Sequence, residues 1–226
     1  MIVYNGRNLY DFGCRVASGT VGNSPERVVE TVEVPGRNGT LTIDGGRFRN
    51  NTLTYHCYIK ENISQNIQGL RAYLLAQSGY KRLEDTRNPE EYRLARYING
   101  FTIDQWDRVG GAFDLVFDCD PRRFLKTGED VIDTPTILMN PTEFKAKPLL
   151  RAYGTGSIAL NDYTITITNA DTYTDIDLET MNAYKGSTNK NSFVSIPDGA
   201  GFEPGENNIS LSGITKLEIT PKWWTI

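Results

Sequence analysis

Residues 34–59, VPGRNGTLTIDGGRFRNNTLTYHCYI, decide the fold. Pro35-Gly36 suits the two central positions of a type II turn, because Pro presets φ and Gly accepts φ > 0. Asn38-Gly39 follows at once, a dipeptide that favours a tight hairpin. Leu41 and Ile43 then point to one face. After the Gly45-Gly46 break, Leu53, Tyr55, Cys57 and Ile59 resume the alternation. Two turn signals and two alternating strands in so short a stretch read as hairpin architecture organised for assembly rather than catalysis.

Upstream, residues 1–10 read as a short extended segment carrying Ile2, Tyr4, Leu9 and Tyr10, residues 18–25 as a turn-rich loop, and Arg27–Val34 as a strand. Downstream, residues 62–77 predict a helix. Ile63, Ile67, Leu70 and Leu74 form one apolar stripe, Asn62 stands in capping position with Gln65 three residues on, and Ser78-Gly79 supplies a stop. After a polar loop at 85–90, Tyr92–Trp106 and Ala112–Asp120 read as the arms of a long hairpin turning at Asp107–Gly111; a short helix over 89–97 is the alternative for its start. Phe113, Leu115, Phe117 and Cys119 face one way, and Asp114, Val116, Asp118 and Asp120 the other, the signature of a half-solvated sheet. Residues 121–147 hold three prolines and little periodicity, as a linker or cross-over strand would. Beyond them come seven or so short alternating runs, among them DYTITITN and NNISLSG, which read as an antiparallel β-sandwich. The expected class is mainly β: an N-terminal β-sandwich with one packed helix and a long hairpin over residues 1–135, then a second sandwich over 136–226.

Composition sets the functional limits. At 226 residues, 38% hydrophobic and 23% charged, the chain can bury real cores and is no disordered tail. No apolar run approaches the roughly 20 residues that span a bilayer. The start, MIVYNGRNLYDFG, lacks the pattern of a secretory signal, so synthesis in the cytoplasm and no membrane insertion are expected. The Asn-x-Ser/Thr matches at Asn38, Asn50, Asn62 and Asn208 would need a secretory route to matter. Residues 1–125 carry 16 Lys and Arg against 15 Asp and Glu, which is no nucleic-acid footprint. Fourteen of fifteen arginines lie in that half. Arg pairs bidentately and stacks on aromatics, so this half is the better candidate for subunit contacts.

Chemistry-bearing motifs are absent. Cys14, Cys57 and Cys119 are odd in number and far apart, which argues against a disulfide framework or zinc site; Cys57 and Cys119 read as small core residues. His56 is the sole histidine, and no GxSxG elbow, P-loop or GxGxxG accompanies it. Asp171, Asp175 and Asp177 miss the calcium-loop pattern. Asp118 and Asp120 could pair as glycosidase carboxylates but read equally as a solvated sheet face. No catalytic residue, cofactor or metal is expected. Trp223-Trp224 could form a sugar platform, although alternation sends adjacent residues to opposite faces.

Several segments in order resemble the distal tail protein (Dit) family of long-tailed, non-contractile bacteriophages. They are Tyr4-Asn5-Gly6 and Asp11-Phe12-Gly13, Val34-Pro35-Gly36-Arg37-Asn38-Gly39, the strand ending Tyr55-His56-Cys57, and the amphipathic helix. The run from Tyr80 through Asp85 and Tyr92-Arg93 to Ala95 follows, then Phe117-Asp118-Cys119-Asp120-Pro121 and a terminal Lys222-Trp223-Trp224. The resemblance implies a non-enzymatic structural hub in the virion, at the distal end of the tail. Its first domain would assemble as a homohexameric ring joining the tail tube protein to tip, baseplate and receptor-binding proteins. DNA would pass through the ring without specific binding, and a galectin-like second domain would decorate it. Arg37, Asn38, Arg47 and Arg49 are the candidate interface residues. The alternative function is a carbohydrate-binding, host-attachment module using Trp223 and Trp224; a cell-wall glycosidase ranks below both.

Overall fold

The computed structural model describes residues 1–17, 24–102, 105–106 and 110–226. The chain divides into two compact units, Met1–Arg123 with Ile226, and Phe124–Thr225. Sequence texture puts the border at 135/136 and reads 121–147 as a linker. The division instead falls within one long strand, Gly111–Leu125, which carries Pro121-Arg122-Arg123 without a break. The remaining supposed linker is a short 3-10 turn, Lys126–Glu129, and two strands of the second unit.

In the first unit the strands are β1 (Ile2–Tyr4), β2 (Arg27–Glu33), β3 (Thr40–Phe48), β4 (Asn51–Ile59), β5 (Lys81–Asp85), β6 (Glu91–Arg96) and β7 (Gly111–Leu125), with α1 spanning Ile63–Leu75. The main sheet runs Arg7–Asn8, β1, β5, β6, β7, β4, Arg15–Val16. Its spine is the antiparallel β4–β7 pair, in register from Gly111↔Ile59 to Cys119↔Asn51. Register decides the core: Phe113↔Cys57, Leu115↔Tyr55 and Phe117↔Leu53 all point inward. Phe117 is fully buried, its ring 5.1 Å from Tyr4, 5.5 Å from Tyr97 and 6.0 Å from Tyr55. α1 buries Ile67, Leu70 and Leu74, the stripe read from the sequence, and Gly69 lets it close on Phe12. Asn62 does not cap it: the residue sits in the left-handed region at φ 45° and makes no side-chain cap bond.

The long hairpin expected over 92–120 is realised only in part. β6 stops at Arg96, Gln105–Trp106 pairs separately with the start of β7, and β7 runs on to Leu125. The proposed turn lies largely outside the described residues, as does most of the loop at 18–25. The strand reading of 91–96, rather than the helical one, holds.

The second unit contains β8 (Ile137–Asn140), β9 (Leu149–Tyr153), β10 (Gly156–Leu160), β11 (Tyr163–Ile167), β12 (Thr174–Asp177), β13 (Asn182–Lys185), β14 (Gly205–Ser212) and β15 (Lys216–Thr220). One sheet runs Ile132–Asp133, β15, β9, β12, β13, Thr188–Asn189; the other runs β8, β14, β10, β11, Val194–Ser195. Leu150, Ile176 and Leu217 from the first meet Ile158, Ile165 and Ile209 from the second in one buried cluster, with Phe202 and Trp223. Period-two alternation places Ile165 and Ile167 inside and Thr164 and Thr166 outside. The mainly-β class with one packed helix is therefore what the chain adopts.

Candidate functional site

β2 and β3 form a two-stranded sheet of their own, apart from the main sheet. Their register runs Glu33↔Thr40, Val32↔Leu41, Thr31↔Thr42, Glu30↔Ile43 and Val29↔Asp44. In the loop between them, residues 34–39, Arg37 N–H donates to Val34 O at 3.1 Å across Pro35-Gly36, with Gly36 at φ +81°. That is the type II turn the dipeptide predicts. Asn38-Gly39 does not make a separate two-residue hairpin. Only Gly39, at φ +78°, is left-handed, so the two turn signals share one six-residue loop between Glu33 and Thr40.

At its base the ribbon is kinked. Between Arg27↔Phe48 and Val29↔Asp44 the register slips, so that Gly45, Gly46 and Arg47 oppose Val28 alone. Asp44 ties this bulge: its Oδ1 accepts from Gly46 N–H at 2.9 Å and its Oδ2 from Arg27 Nη1 at 2.5 Å. The Gly46 N–H first, then the guanidinium, hold its carboxyl below the ordinary value.

Every residue from Val29 to Arg47 is exposed. Register puts Val32, Leu41 and Ile43 on one face, and they are 39%, 41% and 50% exposed. An isolated two-stranded ribbon is marginal in water, and each of its strands keeps one edge of unpaired backbone groups. The arm thus presents an apolar stripe and two edges that no other strand pairs among the described residues.

The candidate interface residues all lie here. Arg37 and Asn38 occupy the loop, Arg47 the bulge and Arg49 the end of the ribbon, and all are exposed. Arg49 N–H is fixed to Glu26 O at 2.9 Å, but among the described residues no carboxylate pairs with the guanidinium of Arg37, Arg47 or Arg49. The other arginines of this half are mostly spent within the chain. Arg82, Arg96, Arg122 and Arg123 pair with Glu84, Asp118, Asp120 and Glu91, while Arg7, Arg15 and Arg71 lie over the rings of Phe12, Tyr10 and Phe101. Arginine abundance in this half therefore reflects the fold as much as any interface.

The groups that might have carried chemistry are otherwise engaged. His56 Nδ1 and Asp114 Oδ1 stand 2.7 Å apart on the outer sheet face, both about half exposed, as their register requires. Among the described residues no hydroxyl or thiol bonds the imidazole. Asp118 accepts Arg96 Nε at 2.6 Å, and Asp120 accepts Arg122 Nε at 2.9 Å, so neither is poised as a free acid or base. Asp171, Asp175 and Asp177 are claimed one each by Lys190, Arg151 and Lys222. The thiol of Cys57 is raised by its bond with Cys14 and then by burial, and burial raises Cys119 to about 12, so both are inert at neutral pH. Trp223 is 4% exposed beside Phe202, and Trp224 stacks on Phe144 at 4.4 Å while its Nε1–H donates to Lys145 O at 3.0 Å. The pair does not present two rings to solvent side by side, because adjacent residues of an extended chain diverge.

No protein-family model matches the chain, and no curated protein matches it. Among solved structures the chain is similar to the Dit protein (gp 19.1) of phage SPP1, described as a paradigm of the hub adsorption apparatus in phages that infect Gram-positive bacteria. The two share 15% sequence identity and superpose with a TM-score of 0.76 over 96% of each chain. The likeness read from sequence motifs is thus borne out as a likeness of fold along nearly the whole chain.

Proposed function

We propose that this protein is a non-enzymatic hub of a long, non-contractile bacteriophage tail. Its first unit assembles into a homohexameric ring at the distal end of the tail tube. The ring joins the tube to tip, baseplate and receptor-binding proteins and leaves a channel through which DNA slides. The galectin-like second unit lies outside that ring.

The observation that carries the proposal is the arm, Arg27–Phe48, with its apolar stripe, its open edges and its unpaired arginines. Such a ribbon gains stability by adding to a neighbour's sheet edge, since backbone pairing needs no matched side chains and hides both edges. A head-to-tail contact of this kind generates a closed ring when its rotation closes and a filament when it does not. The fold shared with a phage hub protein favours closure, and a first unit of nearly balanced charge suits a channel that DNA must not stick to. No observation favours the sugar-binding alternative, because Trp223 fills the core.

Electron microscopy of the particle and of the purified protein tests the reading. A ring with a central hole at the end of the tube is the expected result. Complete particles whose tube end lacks this polypeptide, or holds it as single scattered copies, would overturn it.

A further inference from the structure

The first unit carries a partly open pocket of about 110 Å³ lined by Leu53, Tyr55 and Leu83 and by the polar side chains of Asp85, Glu91, Arg93 and Arg123, with Arg87 also at its wall. Register explains how a guanidinium comes to be there. Arg93 pairs with Leu83 across β5 and β6, and both point inward, so a cation occupies a position where alternation calls for an apolar residue. Arg93 is 9% exposed, yet among the described residues no carboxylate, carbonyl or hydroxyl accepts a hydrogen bond from it. The acids nearby are taken. Glu91 Oε1 receives Arg123 Nη1 at 3.3 Å, and Asp85 Oδ1 receives Arg87 N–H at 3.0 Å. Arg123 Nε is buried without a partner among the described residues.

Among the described residues the Arg93 guanidinium lines the pocket without a protein acceptor, and arginine does not relieve its charge by losing its proton. Desolvation, and after it the charge of Arg123, depress the proton affinity of Arg93, while the charge of Glu91 opposes them. We propose that the cavity binds a small free oxyanion of phosphate or carboxylate type, held by the guanidinium groups of Arg93 and Arg123. At about 110 Å³ the space is well below the roughly 300 Å³ at which pockets for drug-sized organic ligands begin, which selects an ion over a nucleotide or sugar. Arg93 and Arg123 supply the charge-assisted forks that suit either anion. The site lies within the first unit and does not depend on ring formation.

The test is thermal unfolding and calorimetric titration of the full chain with inorganic phosphate or acetate, at ionic strength held constant with chloride. A saturable rise in melting temperature with one or both ions is expected; phosphate alone marks a tetrahedral site, acetate alone a planar one. Arg93→Met abolishes the rise. Arg123→Gln weakens ion affinity about tenfold or more, the loss expected for one charge-assisted bond, and carries the test should Arg93→Met not fold. Arg151→Gln, in the second unit, leaves the ion dependence unchanged. Absence of saturable dependence on either ion in the wild type, or equal dependence in both first-unit variants, overturns the proposal.

Discussion

Replacing Leu41 and Ile43 by Thr tests whether the arm is built for a neighbour. Threonine keeps the strand preference of a β-branched residue while removing most of the apolar stripe. Fully burying a Leu or Ile side chain contributes roughly 1.5–3 kcal/mol, and with these two 41% and 50% exposed, about half of that remains to be gained on assembly. The double variant therefore forfeits about 1–3 kcal/mol per arm contact, a factor of roughly 5 to 150 in its association constant. Within the protomer these side chains are exposed, so the substitution behaves as a surface change of about 0.5 kcal/mol or less and shifts the melting temperature by under about 2 °C. Sedimentation velocity across a concentration series reads the first quantity and calorimetry of the monomer the second. Weakened assembly with an unchanged melt is the expected pair. Unaltered assembly, or a melt lowered by many degrees, refutes the assignment of the stripe to an interface.

Reversing Arg37, Arg47 and Arg49 to Glu together should weaken the oligomer most at low salt, with the protomer's melt unchanged, since none has an ion-pair partner among the described residues; a salt-independent oligomer in sedimentation experiments counts against it. Gly36→Val forces a Cβ onto a residue at φ +81°, a strain of roughly 1–2 kcal/mol that should appear as faster amide exchange in the arm rather than as a lower global melt. Phe117→Ala, at a fully buried ring against three others, should cost about 3–5 kcal/mol and lower the first unit's melting temperature by roughly 10 °C or more in calorimetry. Asp44 is held below its ordinary value of 3.8, so its contribution to the arm's base is present above that value and is lost as pH falls through the lower folded-state one. The Gly46 amide resonance should then titrate with a midpoint under 3.8 and show no such titration in Asp44→Asn; a midpoint at or above 3.8 refutes the pairing.

What could be read from the sequence is whatever period alone dictates. The inward ladders of Leu53, Tyr55, Cys57 and Ile59 and of Phe113, Leu115, Phe117 and Cys119 were legible because alternation with a half-polar partner face admits one packing. The helix stripe was legible for the same reason. The failures have different causes. Asn62 satisfies a capping composition yet turns left-handed, because capping is a matter of φ, ψ and not of residue type. Asn38-Gly39 signals a tight hairpin by itself, but the neighbouring Pro35-Gly36 turn already reverses part of the chain, and the two merge. Arginine density misled in proportion, because sequence cannot separate a guanidinium that meets a carboxylate two residues away from one that meets nothing.

The arm shows where composition and register diverge most. Val32, Leu41 and Ile43 are residues that periodicity assigns to a core, and they lie on the same inward-outward pattern as Leu53 and Tyr55 a few residues on. What separates them is the register slip at Gly45-Gly46, after which the chain leaves the two-stranded sheet and β4 joins the main one. A chain selected only for its own stability would lose little by shortening such a ribbon, since its residues from Val29 to Arg47 are all exposed. An apolar stripe, two strand edges and three arginines, all without partners among the described residues, are what the proposed contact with a neighbouring subunit would complete.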